Sequence, residues 1–166
     1  MKLQAWLWRR FDGVEVGGRS GHDLPLMRRW RIISTDRLGI KVHHILRDDS
    51  TLDPPHDHPW SFVSIRLRRN YDDLRAGGVR RQRISFIRFD EPHKTINVPP
   101  DGVWTLVING PRRHNWGFHG PEGFISADEY HEQLGLIGAH VLGARRGRSR
   151  PRPDPEARSS DAVDET

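Results

Sequence analysis

Between about residues 30 and 120 the chain repeats one pattern: a short segment with a large apolar residue at every second position, then a cluster of turn-forming residues. Alternation of this kind sends successive side chains to opposite faces of an extended strand. It predicts strands over 30–34, 40–46, 62–67, 84–89, 94–98, 104–108 and 115–118. Asp48-Asp49-Ser50, Gly77-Gly78, Pro99-Pro100-Asp101-Gly102 and Asn109-Gly110-Pro111 supply the turns between them. Many short strands at this spacing make an all-β sandwich or barrel. Residues 126–135, with Asp128, Glu129 and Glu132 toward the front, predict a helix that could continue to Leu142. Trp6-Leu7-Trp8 reads as an added strand or clasp, and no internal repeat of fixed period is visible.

Beyond Arg145 the pattern stops. Arginine and proline give way to acids, serine and alanine, with Val163 the one large apolar residue. A segment unable to bury apolar area cannot offset its ordering entropy, so a disordered tail is expected. The expected organisation is an N-terminal strand or clasp segment (1–29), one barrel domain (30–143) and the tail (144–166). A chain of 166 residues with 34% hydrophobic content has room for one core. The absence of cysteine excludes disulfides, thiolate ligands and zinc-finger chemistry and leaves histidine and carboxylate as metal ligands. The apolar runs are far shorter than a membrane span and the first residues lack a signal-like stretch. A cytoplasmic protein without membrane attachment is expected.

The formal charge of +5 raises the question of nucleic acid. Lysine occurs only at Lys2, Lys41 and Lys94, and the arginines are interspersed with acids, so no clustered footprint for phosphates emerges and nucleic acid is not expected as a partner.

The stretch that points to chemistry is His56-Asp57-His58-Pro59-Trp60. In an extended segment His56 and His58 share a face and can reach one cation, and His93 stands alone on a later strand. Two strands of a barrel can assemble such residues into a three-imidazole site. The bland alternative is that these are packed, hydrogen-bonded histidines, some falling at this spacing by chance among ten.

His56-x-His58, a strand and turn, and a later His93 resemble the two-motif pattern of the cupin superfamily. More narrowly, His56-Asp-His-Pro-Trp60, Asn109-Gly-Pro-Arg112 and Trp116-Gly-Phe-His119 look like a family of small bacterial and phage cupin-like proteins, over about residues 30–130. The resemblance implies a cupin-like double-stranded β-helix, a jelly-roll barrel, here with a short C-terminal helix and the tail. It also implies a divalent metal on His56, His58 and His93. The chain departs from the superfamily pattern in lacking the glutamate that follows the second histidine, and the expected glycine falls near Asn70. The fourth position is therefore open to water, a substrate or another group.

An all-histidine set is similar to that of cysteine-dioxygenase-type thiol oxygenases, which implies Fe(II) as cofactor and a small anionic, chelating substrate. By the same likeness Arg112 is the candidate anion partner, and a rim arginine paired with a loop residue is its bland counterpart. Tyr71 is a candidate proton donor or acceptor, or else a buried tyrosine with a satisfied hydroxyl. Asp53 or a backbone carbonyl is expected to orient a ligand histidine, with Asp57 pointing out of the barrel and His43 lining the cavity. His114 and His119 read as turn residues. Trp60, Trp104 and Trp116 read first as core, then as an aromatic wall. An Fe(II)-dependent dioxygenase and a non-catalytic metal- or ligand-binding module both remain open, as does a homodimer paired through the edge at residues 6–8.

Overall fold

The computed structural model describes residues 2–17, 25–49 and 52–134. An N-terminal helix α1 (Lys2–Arg10) leads into strands β1 (Asp12–Val16), β2 (Met27–Ser34), β3 (Gly39–Ile45), β4 (Phe62–Arg68), β5 (Asp72–Arg75), β6 (Gly78–Arg80), β7 (Ile84–Ile87), β8 (His93–Ile96), β9 (Val103–Asn109), β10 (Gly117–Gly120) and β11 (Gly123–Ser126), and then helix α2 (Ala127–Gln133). One antiparallel sheet has the order β1-β2-β3-β9-β4-β7, so β9 returns over a long connection to lie between β3 and β4. The facing layer is assembled from β6-β5-β8 and the hairpin β10-β11. His56 stitches the two pieces together, forming bridges to both His93 and Phe118.

Alternation decides what faces inward. Along β3 the buried positions are Gly39, Lys41, His43 and Ile45, and along β9 they are Val103, Thr105, Val107 and Asn109. Two small apolar clusters close the interior: Ile45, Tyr71 and Val103 in one, Phe62, Ile87 and Val107 in the other. Between them the inner face is polar, with Lys41, His43, Ser64 and Thr105 all buried. Buried polar side chains cost free energy unless they are partnered, so a polar inner row marks a lined cavity rather than a packed centre.

Residues 6–8 form part of a helix, not a strand. Leu7 is 2% exposed, Trp8 meets Trp30 edge-on at 5.3 Å, and Trp30 stacks on Trp104 at 5.6 Å, so the helix clasps the outer face of the large sheet. The strand added to that sheet is β1, and its edges are β1 and β7. Arg9 and Arg10 in the last turn suit the negative end of the helix dipole. The left-handed turn after β4 falls on Arg69 (φ 65°), one residue before the position read from sequence. Helix α2 begins as expected, its N-cap Ser126 accepting from the Glu129 amide at 3.3 Å. Its expected continuation to Leu142 and the tail expected to be disordered lie outside the described residues. No helix among the described residues is long and apolar enough to cross a membrane.

Candidate metal centre

His56 and His93 are direct antiparallel neighbours: the His56 amide donates to the His93 carbonyl at 3.1 Å and the His93 amide to the His56 carbonyl at 2.9 Å. Residues paired in this way share a face. His58, two residues further along, returns to that face. The three ring centroids stand 5.1, 5.0 and 5.0 Å apart, a nearly equilateral triangle. One ring nitrogen from each lies within 4.8 Å of the others.

Protonation follows from the surroundings. Burial pushes His56 down to about 4, with Asp49 opposing and His93 adding to the shift. Burial, then the neighbouring His93 and His56, holds His58 well below the usual histidine range. Both are neutral near pH 7 and present lone pairs. His93 Nδ1 is 2.7 Å from Asp73 Oδ1, and since an ionised carboxylate can only accept, Nδ1 carries the proton and Nε2 is bare. That bare Nε2 faces His58 Nε2 at 2.8 Å. Two imidazoles bound at right angles to one ion at about 2.1 Å place their nitrogens about 3 Å apart, so the donor set fits a divalent cation.

The carboxylate behind His93 is Asp73 rather than Asp53. Asp73 is fully buried, and its Oδ2 accepts from Arg75 Nε at 3.0 Å and Nη2 at 2.7 Å. Burial alone would raise Asp73, but the His93 N–H and the Arg75 guanidinium outweigh it and keep the carboxyl below its ordinary value. Arg75 in turn reaches Glu91 at 2.9 Å. Asp49 stands 3.9 Å from His56 Nδ1. Asp53 accepts instead from the Tyr130 hydroxyl at 2.9 Å, and its carbonyl accepts from Lys94 at 2.6 Å.

Asp57 points away from the histidine triangle, yet it is buried. It accepts from the Gly117 amide at 2.8 Å and pairs with His119 Nε2 at 2.9 Å. His114 Nε2 lies 2.8 Å from the His58 carbonyl and 3.0 Å from that of Phe89, which fixes the loop carrying His58. His114 and His119 are thus supports on the far side of the loop.

The histidines open into a cavity of about 450 Å³ between the two layers. His43, Tyr71, Trp60 and Trp116 line it, while Trp104 lies on the outer face against Trp30 and His44. Tyr71 is 3% exposed, bonded to Ser64 and covered by the Arg66 guanidinium 4.3 Å from its ring centre. Arg112 does not reach this cavity. It is exposed, donates to Asn115 Oδ1 at 2.7 Å and borders a separate cleft of about 290 Å³. The rim position follows from Asn109-Gly110-Pro111, which ends β9 and carries the chain outward before residue 112. Sequence reading missed Asp73, which sits in the charged stretch Asp72-Asp73-Leu74-Arg75, and it missed Arg29, Lys41 and Arg47, cations that line the cavity.

No protein-family model and no curated protein matches the chain. Solved structures do. The DMSP lyase DddQ from Ruegeria pomeroyi DSS-3 is similar with a TM-score of 0.50 and 22% identity over 64% of this chain and 59% of that one, so the match spans less than two thirds of the lyase. The polyketide cyclase RemF from Streptomyces resistomycificus gives a TM-score of 0.50 and 20% identity over 76% of this chain and 87% of that one. An RmlC-like cupin from Shewanella frigidimarina NCIMB 400 is similar at 0.49 and 15%, over 64% and 88%. At these identities the likeness is one of fold. The chain shares with these structures the double-stranded β-helix fold found among cupins, and it carries a three-histidine group at the wall of its internal cavity.

Proposed function

We propose that His56, His58 and His93 hold one divalent transition metal, with Fe(II) the first candidate, and that the protein is a dioxygenase that uses molecular oxygen as the oxidant of a small anionic, chelating molecule within the barrel. The observation that carries this reading is the convergence of three ring nitrogens within 4.8 Å at the wall of a cavity large enough for a small molecule. Bound there, the metal would supply a Lewis-acidic, redox-active centre that keeps its full positive charge and has open positions. The chain's own residues do the rest. Asp73 fixes the tautomer and direction of His93, His114 holds the loop of His58, and Trp116 and Phe118 flank His56.

The shared fold does not select the reaction, since a lyase and a cyclase have it too. A non-catalytic binding module is the second reading, favoured by Tyr71, whose hydroxyl is engaged by Ser64 rather than offered to a ligand. Elemental analysis of protein prepared without oxygen, beside a His56→Ala/His58→Ala variant shown to fold, tests the site. Near-stoichiometric metal in the first and none in the second supports it. No uptake of Fe(II) or Co(II) by the intact protein would overturn it. Oxygen consumption by the iron-loaded protein with small thiols or oxoacids separates the enzyme from the binder.

A further inference from the structure

Strand β2 carries three arginines, of which two meet acids and one does not. Arg28 meets Glu15 at 2.9 Å and Arg31 pairs with Asp12, while among the described residues Arg29 and Lys41 have no carboxylate partner. Both face the cavity that the three histidines open into. Lys41 is 7% exposed, its ammonium resting 3.8 Å from the centre of the Trp60 ring. Among the described residues Arg29 donates to the Met27 sulfur at 3.8 Å, and its Nε is buried without a partner there. The register sets Arg29 opposite the neutral His43 and Arg31 opposite Lys41, so positive charge faces positive charge at the second pair. Like charges directly opposite destabilise a sheet.

We propose that Arg29 and Lys41 form an oxyanion-binding subsite, so that the molecule taken into the barrel is two-ended: a donor group directed at the histidines and a carboxylate or phosphate held between the guanidinium and the ammonium. This rests on the metal reading only for the first end. The geometry supports the second independently. Arg29, Lys41 and Trp60 also border the 290 Å³ cleft, where Arg31 and Arg112 add two more cations and Asp36 is the one acid among the described residues. The cation pair therefore stands at the junction of the two hollows, where an anion drawn through the outer cleft would meet it. A guanidinium forks onto a carboxylate or phosphate, and a partly desolvated ammonium binds it more strongly than an exposed one does. Burial, followed by Arg29 and Arg31, pushes Lys41 down to about 8, the state of a cation waiting for an anion.

The test uses the full chain, stripped of metal, with inorganic phosphate as probe and chloride at matched ionic strength as control. Saturable heat of binding and a raised melting temperature are expected with phosphate, and Arg29→Gln/Lys41→Met should weaken the binding about tenfold or more. Lys41→Arg should retain it. Titration of the unaltered protein near pH 8 in buffers of different ionisation enthalpy should show proton uptake, a readout that needs no variant. Equal phosphate binding by the double variant, or no binding and no proton uptake by the intact chain, would overturn the subsite. Co(II) titration of the same preparations keeps the two proposals apart. Phosphate binding without Co(II) binding would sink the metal site alone, and the reverse would sink the subsite alone. Succinate in place of phosphate then separates carboxylate from phosphate as the preferred end.

Discussion

His93 and Asp73 lie on adjacent strands, β8 and β5, and meet through Nδ1 and Oδ1 at 2.7 Å, with the other carboxylate oxygen clamped by Arg75. The imidazole therefore has one tautomer and one direction. Removing the charge while keeping the shape tests what that is worth: Asp73→Asn should weaken Co(II) affinity about 10- to 100-fold, the usual effect of losing a ligand's supporting carboxylate. The same change leaves Arg75 buried without its main counter-charge, so a stability loss of about 3 kcal/mol is expected as well. Glu91 softens that loss. Spectroscopic Co(II) titration reads the first effect and urea unfolding the second.

Acid should unfold the metal-free protein earlier than its carboxylates alone require. His43, His56 and His58 are held below the ordinary histidine value of 6.5, in each case chiefly by burial, and His56 falls to about 4. A base whose folded pKa is depressed binds its proton more readily in the unfolded chain, so stability is full above about pH 6.5 and declines as pH falls toward the folded values. Each such histidine can add a slope of up to about 1.4 kcal/mol per pH unit. His43→Gln should flatten the acid limb between pH 6.5 and 4 by roughly one histidine's share. Chemical unfolding at a series of pH values checks the slope, and an unchanged limb would mean that His43 is not held neutral by burial.

Strand period and histidine spacing made the barrel legible, because both are local properties of the chain. Phe62–Arg68 and Val103–Asn109 announce themselves by alternation, and His56-x-His58 sends both imidazoles to one face for the same reason. His93 joins them only because His56 pairs with it in register, a non-local fact that the superfamily resemblance supplied. What stayed hidden was hidden by charge. Asp72–Arg75 shows no apolar alternation, yet it is a buried strand, because Asp73 and Arg75 satisfy each other and His93. Lys41 lies between Ile40 and Val42 and Arg29 between Arg28 and Trp30, and nothing in a single sequence says that their side chains turn inward without acids. Arg112 was the reverse case: a likeness suggested it, and the chain turning outward at Pro111 carried it to the rim. Residues 6–8 read as a strand or a clasp, and docking on Trp30 makes them a helical clasp.

That docking can be tested through the glycine beneath it. A Cβ on Gly13 would fall within 2.2 Å of the Trp8 ring and 2.8 Å of the Trp30 ring. Gly13→Ala should therefore lift the N-terminal helix off the sheet and cost about 1–3 kcal/mol, the range for overpacking a well-filled site. Trp30 should become more exposed, with a red shift of tryptophan emission. Since this clasp lies on the outer face, Co(II) affinity should stay as it is. A large loss of Co(II) binding would mean that the outer and inner faces are coupled through β2.

Lys41 offers the sharpest separation of stability from function. An ordinary lysine titrates at 10.5, and burial beside Arg29 and Arg31 lowers this one to about 8. The unfolded chain keeps the proton between those two values while the folded chain has lost it, so the unfolded state holds more protons and stability must decrease as pH falls from 10.5 to 8. Below that range the penalty is constant, because the ammonium is charged in both states. Lys41→Met keeps the stem against Trp60 and removes the charge, and it should stabilise the protein at pH 7 while flattening this alkaline limb. Arg29, relieved of a neighbouring cation, reinforces the gain. Most substitutions of a buried side chain destabilise, so a higher melting temperature for Lys41→Met would mark the charge as one kept for something other than folding. A lower one, with the alkaline limb unchanged, would mean that the ammonium is at home over Trp60 and that the inner row of cations is structural.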